Sequence, residues 1–310
     1  MSDGDVRAAS SDDPAGSDLG IAAAWRDRGS IRTLLGQRIF TVDVPARGPE
    51  TEPPLLVLHG FPTCSFDFHL VVDELASSRR VVLFDMLGYG LSAKPDIAYR
   101  LEMQADLAVA LTAELGIERL SLLTHDMGDT VGGELLARQL EGSLDLEIVD
   151  RILTNGSIYI ELAHLSAGQQ MLLSLPDRAF EAGTGPDRAG VAAALAATFS
   201  PESQVDPDEL DAHAALVVYE GGNRLLPRTI RYIEQRRRNQ DRYTGAIERH
   251  PSPLTVVWGR DDPIAVVDMV DKLRLACPDA TFRILDGVGH YPMVEAPARF
   301  VEAAGSATRA

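Results

Sequence analysis

Cysteine is scarce in this chain of 310 residues, which carries only Cys64 and Cys277. Two such residues lack metal-site spacing and do not imply a disulfide framework, so neither a zinc module nor a stapled scaffold is expected. No run of about 20 apolar residues exists, the length a membrane-spanning helix needs. No charged segment followed by an apolar stretch opens the chain. Positive charge is also short: 29 Lys and Arg stand against 46 Asp and Glu, for a formal net charge of −17. That imbalance argues against nucleic acid and anionic membranes as partners. Internal repeats are not apparent. The expectation is a soluble cytoplasmic protein. Residues 1–18, rich in Asp, Ser and Gly, read as a disordered acidic tail. The remaining length suits one enzyme core with an inserted cap.

What the sequence does have is alternation. Short, largely apolar runs at 54–62, 80–85, 119–125, 148–155, 253–259 and 280–286 read as strands. Segments 65–77, 101–115, 126–140, 264–276 and 295–304 show helical spacing. Apolar strands alternating with amphipathic helices indicate an α/β fold, a mostly parallel sheet with helices on both faces. Active sites in such sheets gather at the carboxyl ends of the strands, and Asp126, Asn155, Asp262 and His290 all fall at or just past such ends. Residues 157–243 form a long insertion between the core segments 19–156 and 244–310. Its stretches 162–175, 189–199, 207–220 and 225–242 read as helices separated by Pro/Gly clusters. A helical cap of this kind excludes water and shapes a mostly apolar pocket. In so acidic a chain, Arg236-Arg-Arg238 reads as a solvated helix face.

The stretch Arg119-Leu-Ser-Leu-Leu-Thr-His-Asp-Met-Gly-Asp129 combines a buried strand, a sharp turn and the start of a helix. With Gly128 on its far side, this is the geometry of a nucleophile elbow, with Asp126 at its apex. An Asp at a helix start also serves as an N-cap. As a nucleophile, a carboxylate attacks saturated carbon and leaves an alkyl ester on the enzyme, which a base must then help to hydrolyse. The partners follow in chain order: Gly259-Arg-Asp-Asp262-Pro after one strand, Gly287-Val-Gly-His290-Tyr-Pro after the next. Nucleophile, acid, histidine is the order of an α/β-hydrolase triad. The spacing Gly-x-x-Asp-Pro favours Asp262 over its neighbour Asp261. The other six histidines lack this context, and His59 and His125 read as shaping turns.

These stretches resemble the α/β-hydrolase superfamily, in the branch with an aspartate nucleophile, the epoxide hydrolases and haloalkane dehalogenases. The pattern is closest to the hydrolase-like mesoderm-specific transcript family. The matching motifs are His59-Gly-Phe-Pro-Thr, Phe84-Asp-Met-Leu-Gly-Tyr-Gly-Leu-Ser92, Ser121 to Asp129, Thr154-Asn-Gly156, Arg231-Tyr-Ile-Glu-Gln-Arg236, Gly259-x-x-Asp-Pro263 and His290-Tyr-Pro292. They run from about Trp25 to the end.

The resemblance implies Asp126 as nucleophile, His290 as base and Asp262 as its orienting acid, with backbone N–H groups of Phe61 and Met127 as the oxyanion hole. It also implies a cis peptide at Pro62, no cofactor and no metal, with a small apolar molecule and water as substrates. Haloalkane dehalogenases grip halide with side-chain N–H donors where this chain has Met127 and Phe61, neither of which can donate. Epoxide hydrolases protonate the opened oxygen with cap tyrosines. Tyr232 best matches that position, and Tyr219 and Tyr159 compete for the second. Epoxide hydrolysis is therefore the expected activity and haloalkane dehalogenation the alternative. An esterase or lactonase is less favoured, since carboxylate attack on an acyl carbon would give an anhydride. A non-catalytic binding protein is disfavoured by the complete Asp/Asp/His set.

Overall fold

The computed structural model describes residues 18–180 and 184–305. The disordered tail expected over 1–18 therefore lies almost wholly outside the described residues. The core is an eight-stranded sheet: β1 (Ser30–Leu34), β2 (Gln37–Val44), β3 (Leu55–Leu58), β4 (Val81–Phe84), β5 (Arg119–His125), β6 (Glu147–Thr154), β7 (Leu254–Gly259) and β8 (Thr281–Leu285). Their spatial order is β1-β2-β4-β3-β5-β6-β7-β8. From β4 to β8 every neighbouring pair is parallel, while β2 runs antiparallel to both β1 and β4. All six strands expected from the sequence are present.

The hairpin β1–β2 was not among them. Its turn is Leu35-Gly36, both with positive φ (50° and 78°), as a two-residue hairpin turn requires. Every residue of β3, β4 and β7 is buried, which is why those runs read so clearly. Two expected helices are broken. Residues 65–77 form a 3₁₀ turn, Ser65–Phe68, and a short helix, Val72–Leu75. Residues 225–242 divide into Leu226–Thr229, Tyr232–Arg238 and the start of Gln240–Arg249, with non-helical backbone at Asn239 (φ −124°, ψ 30°).

The sheet order places the site. The chain leaves β3 for β4 on one side, then crosses to β5 on the other. The loops after β3 and β5 thus diverge from adjacent parallel strands, at a topological switch point where α/β sheets open a crevice. Helix Met127–Leu140, leaving β5, packs against Leu101–Glu114 and Gln240–Arg249.

The segment between β6 and β7 carries the helices Ala167–Ser174, Arg188–Ala196 and Pro207–Val218 before the three just described. Ser166 and Gln169 form a reciprocal capping box on the first, and Asp187 and Asp206 cap the next two. Pro207–Val218 is seated on the core by two crossed pairs. His213 Nε2 lies 3.4 Å from Asp67 Oδ1, and His69 Nε2 lies 2.8 Å from Glu209 Oε1. In His213 the other ring nitrogen is 2.8 Å from the Glu209 carbonyl, which can only accept, so Nδ1 carries a proton. A second proton on Nε2 makes the contact with Asp67 attractive. Burial alone would lower the His213 pKa, but the Asp67 carboxylate outweighs it and the net shift is upward.

A group whose pKa rises on folding stabilises the native state below its unfolded pKa, about 6.5 for His. That contribution disappears as pH rises through the folded value. His213→Gln should therefore cost on the order of 2 kcal/mol near pH 6 and flatten the decline of stability toward alkaline pH, as read by urea unfolding across that range.

Candidate active site

Asp126 occupies the apex of the turn between β5 and Met127–Leu140, with φ 49° and ψ −110°. An L-residue at positive φ is strained by roughly 1–3 kcal/mol, and close packing around the turn holds it there. A Cβ added at Gly128 would come within 2.3 Å of the Leu58 carbonyl oxygen, and one at Gly60 within 2.7 Å of Asp126 Cβ. Two glycines thus let the ends of β3 and β5 touch. The elbow geometry expected from the sequence is present, and the Asp126 side chain makes no capping hydrogen bond.

The Phe61 N–H donates to Asp126 Oδ2 at 2.9 Å, and the Phe61–Pro62 peptide is cis. Met127 is the first residue of its helix, a position whose N–H has no intrahelical acceptor. His59 accepts from the Met86 N–H at Nε2 (2.9 Å), and His125 Nε2 meets the His290 carbonyl at 2.9 Å. Both therefore tie turns together, as their sequence context suggested.

His290 and Asp262 come from loops after β8 and β7. The Nδ1 of His290 lies 2.7 Å from Asp262 Oδ2. Asp262 also accepts at Oδ1 from the Ile264 and Ala265 N–H groups and at Oδ2 from Asn155 Nδ2. Asn155 is fixed in turn by the Gly259 N–H. Asp261 faces elsewhere and accepts from Ser200 Oγ at 2.8 Å. Burial by itself would lower the His290 pKa, but the Asp262 carboxylate, reinforced by Asp126, pushes it up to about 9.

Of the three tyrosines singled out, Tyr232 reaches the elbow. Its ring packs on Phe61, whose N–H donates to Asp126, and burial together with the Asp126 negative charge holds the phenol well above its ordinary pKa. It is a protonated donor at neutral pH. Tyr159 does not meet the expectation, because its hydroxyl donates to Glu248 at 2.6 Å and its ring lies under Lys272. Tyr219 sits at the end of Pro207–Val218 with Lys94 Nζ 5.4 Å from its ring centroid.

Arg236 corrects another expectation. It is 1% exposed, so that part of the Arg236–Arg238 run is interior rather than solvated. Its guanidinium donates to Thr130 Oγ1 (2.6 Å), the Ser157 carbonyl (2.8 Å) and the Asp126 carbonyl (3.1 Å). Glu295 was also missed. It accepts from the N–H groups of Gly289 and Tyr291, either side of His290, and from the Ser200 N–H. Spacing carried a signal for Arg236, which follows Tyr232 by one helical turn, but a charge run masks burial.

Beside Phe61 and His290 opens a cavity of about 250 Å³, lined by Met171, Leu172, Leu195, Val217 and Ile264 among others. Among the described residues, no Asp, Glu, Lys or Arg lines it.

The sequence profile of the alpha/beta hydrolase fold family matches residues 53–297. The chain belongs to the α/β-hydrolase family. A Mycobacterium tuberculosis protein named "Putative hydrolase LipZ" is 38% identical over 288 residues, covering 90% of this chain and 95% of the relative. The mesoderm-specific transcript homolog protein of Homo sapiens is 32% identical over 299 residues, covering 90% and 85%. An alpha/beta hydrolase fold protein from Burkholderia ambifaria superposes with a TM-score of 0.68 at 25% identity, covering 89% of this chain and 96% of that one. Likeness to the mesoderm-specific transcript proteins agrees with the motif pattern. Among the described residues of this hydrolase, no helix is long and apolar enough to cross a membrane.

The His290 environment gives a direct check. By NMR, its imidazole should titrate near 9 in the resting enzyme. Asp262→Asn removes the leading cause of the rise and should bring that value down by at least about one unit. A value in the variant equal to the wild type would show that Asp262 is not the controlling charge.

Proposed function

We propose that this hydrolase opens small apolar epoxides through a covalent alkyl ester on Asp126. The observation that carries the reading is the place of Tyr232 at the elbow, its ring 5.6 Å from that of Phe61, whose N–H donates to Asp126. It sets a proton donor beside a carboxylate nucleophile. Epoxide opening needs both in one step, because the carbon attacked and the oxygen released are adjacent atoms. A halide leaves without a proton, and the flanking Met127 and Phe61 side chains offer it no N–H donor.

In this mechanism Asp126 attacks an epoxide carbon, the C–O bond breaks, and Tyr232 gives its proton to the released oxygen. The charge on Asp126 is cancelled in the ester. One of the causes that raise the His290 pKa is thereby removed, and the imidazolium gives its proton, by way of water, to the Tyr232 phenolate, leaving both groups neutral. Neutral His290, oriented by Asp262, then takes a proton from water as that water attacks the ester carbonyl carbon. The N–H groups of Phe61 and Met127 stabilise the resulting oxyanion. Collapse releases the diol and restores the carboxylate. The mostly apolar lining of the cavity, with no Asp, Glu, Lys or Arg among its described residues, suits neutral substrates. The residues between β6 and β7 serve as the cap over it.

Haloalkane dehalogenation is the second reading, since the same Asp126 and His290 would serve it. His290→Gln separates the steps: it should still alkylate and then stall. Incubation with a panel of epoxides and bromoalkanes, followed by intact and peptide mass measurement, should place an adduct on Asp126 in this variant. Turnover by Asp126→Ala at the wild-type rate would sink the nucleophile assignment. Adducts from bromoalkanes alone would transfer the activity to the dehalogenase reading.

A further inference from the structure

The segment bearing Tyr232 is an unpromising platform for a proton donor. Helix Tyr232–Arg238 has seven residues, too few to hold itself together. The backbone before it turns at Ile230 and Arg231, and Asn239 ends it outside helical geometry. Its placement must come from tertiary ties. Gln235 supplies one to the core, accepting from the Leu101 N–H (2.9 Å) and donating to the Tyr99 carbonyl (3.0 Å). The other is Arg236, and it is the one that reaches the elbow.

Its three donor atoms go to three separate places: the apex carbonyl of Asp126, the first helical turn at Thr130, and the chain leaving β6 at Ser157. Among the described residues no carboxylate accepts a hydrogen bond from it, unlike a conventional buried ion pair. Burying an arginine against neutral acceptors is costly, and the fork geometry that serves three acceptors at once is peculiar to a guanidinium. On the same helix face, the guanidinium carbon lies 5.1 Å from the Tyr232 ring centroid. That ring also packs on Phe61 at 5.6 Å, and Phe61 itself donates to Asp126. Tyr232 is therefore in contact with two residues that each bond to Asp126.

We propose that Arg236 is a positioning residue: by pinning the backbone of the nucleophile elbow to the helix that carries Tyr232, it fixes proton donor and nucleophile relative to each other. The inference deepens the epoxide-opening reading and rests on it for its kinetic consequence, though not for the strap itself. Displacing a reacting group by about 1 Å costs on the order of 10²-fold in rate. A lysine retains the positive charge but cannot reach three divergent acceptors from one ammonium. Arg236→Lys should thus lose positioning while keeping charge.

The experiment follows single turnover with styrene oxide as the probe, measuring Asp126 alkylation and ester hydrolysis separately by quenched mass spectrometry. Arg236→Lys should slow alkylation by about 10²-fold, with hydrolysis and KM changed far less. In a Tyr232→Phe background the same change should add little, because the residue it positions no longer donates. Thr130→Ala, which removes one acceptor, should give a smaller loss of the same kind and serves if Arg236→Lys does not fold. Wild-type alkylation rates in Arg236→Lys, or full additivity with Tyr232→Phe, would overturn the proposal.

Hydrogen exchange of the amides in 226–243 and 124–130 provides the readout that needs no reaction. Faster exchange in both segments of the variant supports the strap, and unchanged exchange overturns it. If wild-type protein forms no Asp126 adduct, the epoxide reading fails, and exchange alone then decides whether Arg236 pins the helix.

Discussion

The site depends on how closely two strand ends approach each other. β3 and β5 deliver their loops side by side, and the Asp126 turn fits between them only because Gly60 and Gly128 leave no side chain in the gap. The strained backbone at Asp126 is over-determined by that contact. It sends the carboxylate toward the Phe61 N–H rather than into its own helix, so the same crowding that costs energy supplies the first hydrogen bond of the site. The remaining parts are arranged around a carboxylate whose direction is already set.

Charge inside the site is dense and finely divided. Asp126, Asp262, Asp129, Arg236 and His290 are all at least 96% buried. Burial pushes the carboxyl of Asp129, three residues along the elbow helix, well above the usual carboxylate range. Asp262 is saturated by two backbone N–H groups, Asn155 and His290, leaving no free lone pair to redirect the imidazole. Glu295 holds the backbone on either side of His290 and also binds the Ser200 N–H in the insertion. The histidine loop and the overlying helices are thus one unit.

Strands buried along their whole length were legible because a strand covered on both faces needs a short, continuous apolar run, and β3, β4 and β7 each have one. The edge hairpin was not: β1 is mostly exposed, Ser-Ile-Arg-Thr-Leu, and is held by backbone pairing that no side-chain pattern announces. Motif order marked Asp126, Asp262 and His290, and the structure joins the latter two by a 2.7 Å contact. Tyr159 stood beside Tyr232 as a candidate in sequence, and only the fold shows that Glu248 claims its hydroxyl. Arg236 was hidden for a related reason. Composition reports that a residue is charged, whereas its burial depends on whether the fold brings three carbonyl or hydroxyl oxygens around it.

The contacts between Arg236 and the elbow also bear on how the insertion can move. A lid hinged over the whole crevice would have to break them at each opening, disturbing the Asp126 turn with it. The far side of the insertion is held differently. Helices Ala167–Ser174 and Arg188–Ala196 line the cavity yet bury only Leu172, Val191 and Leu195 fully. That flank meets the site through Ser200 and the histidine loop instead, so a shift in it bears on His290 rather than on the Asp126 turn.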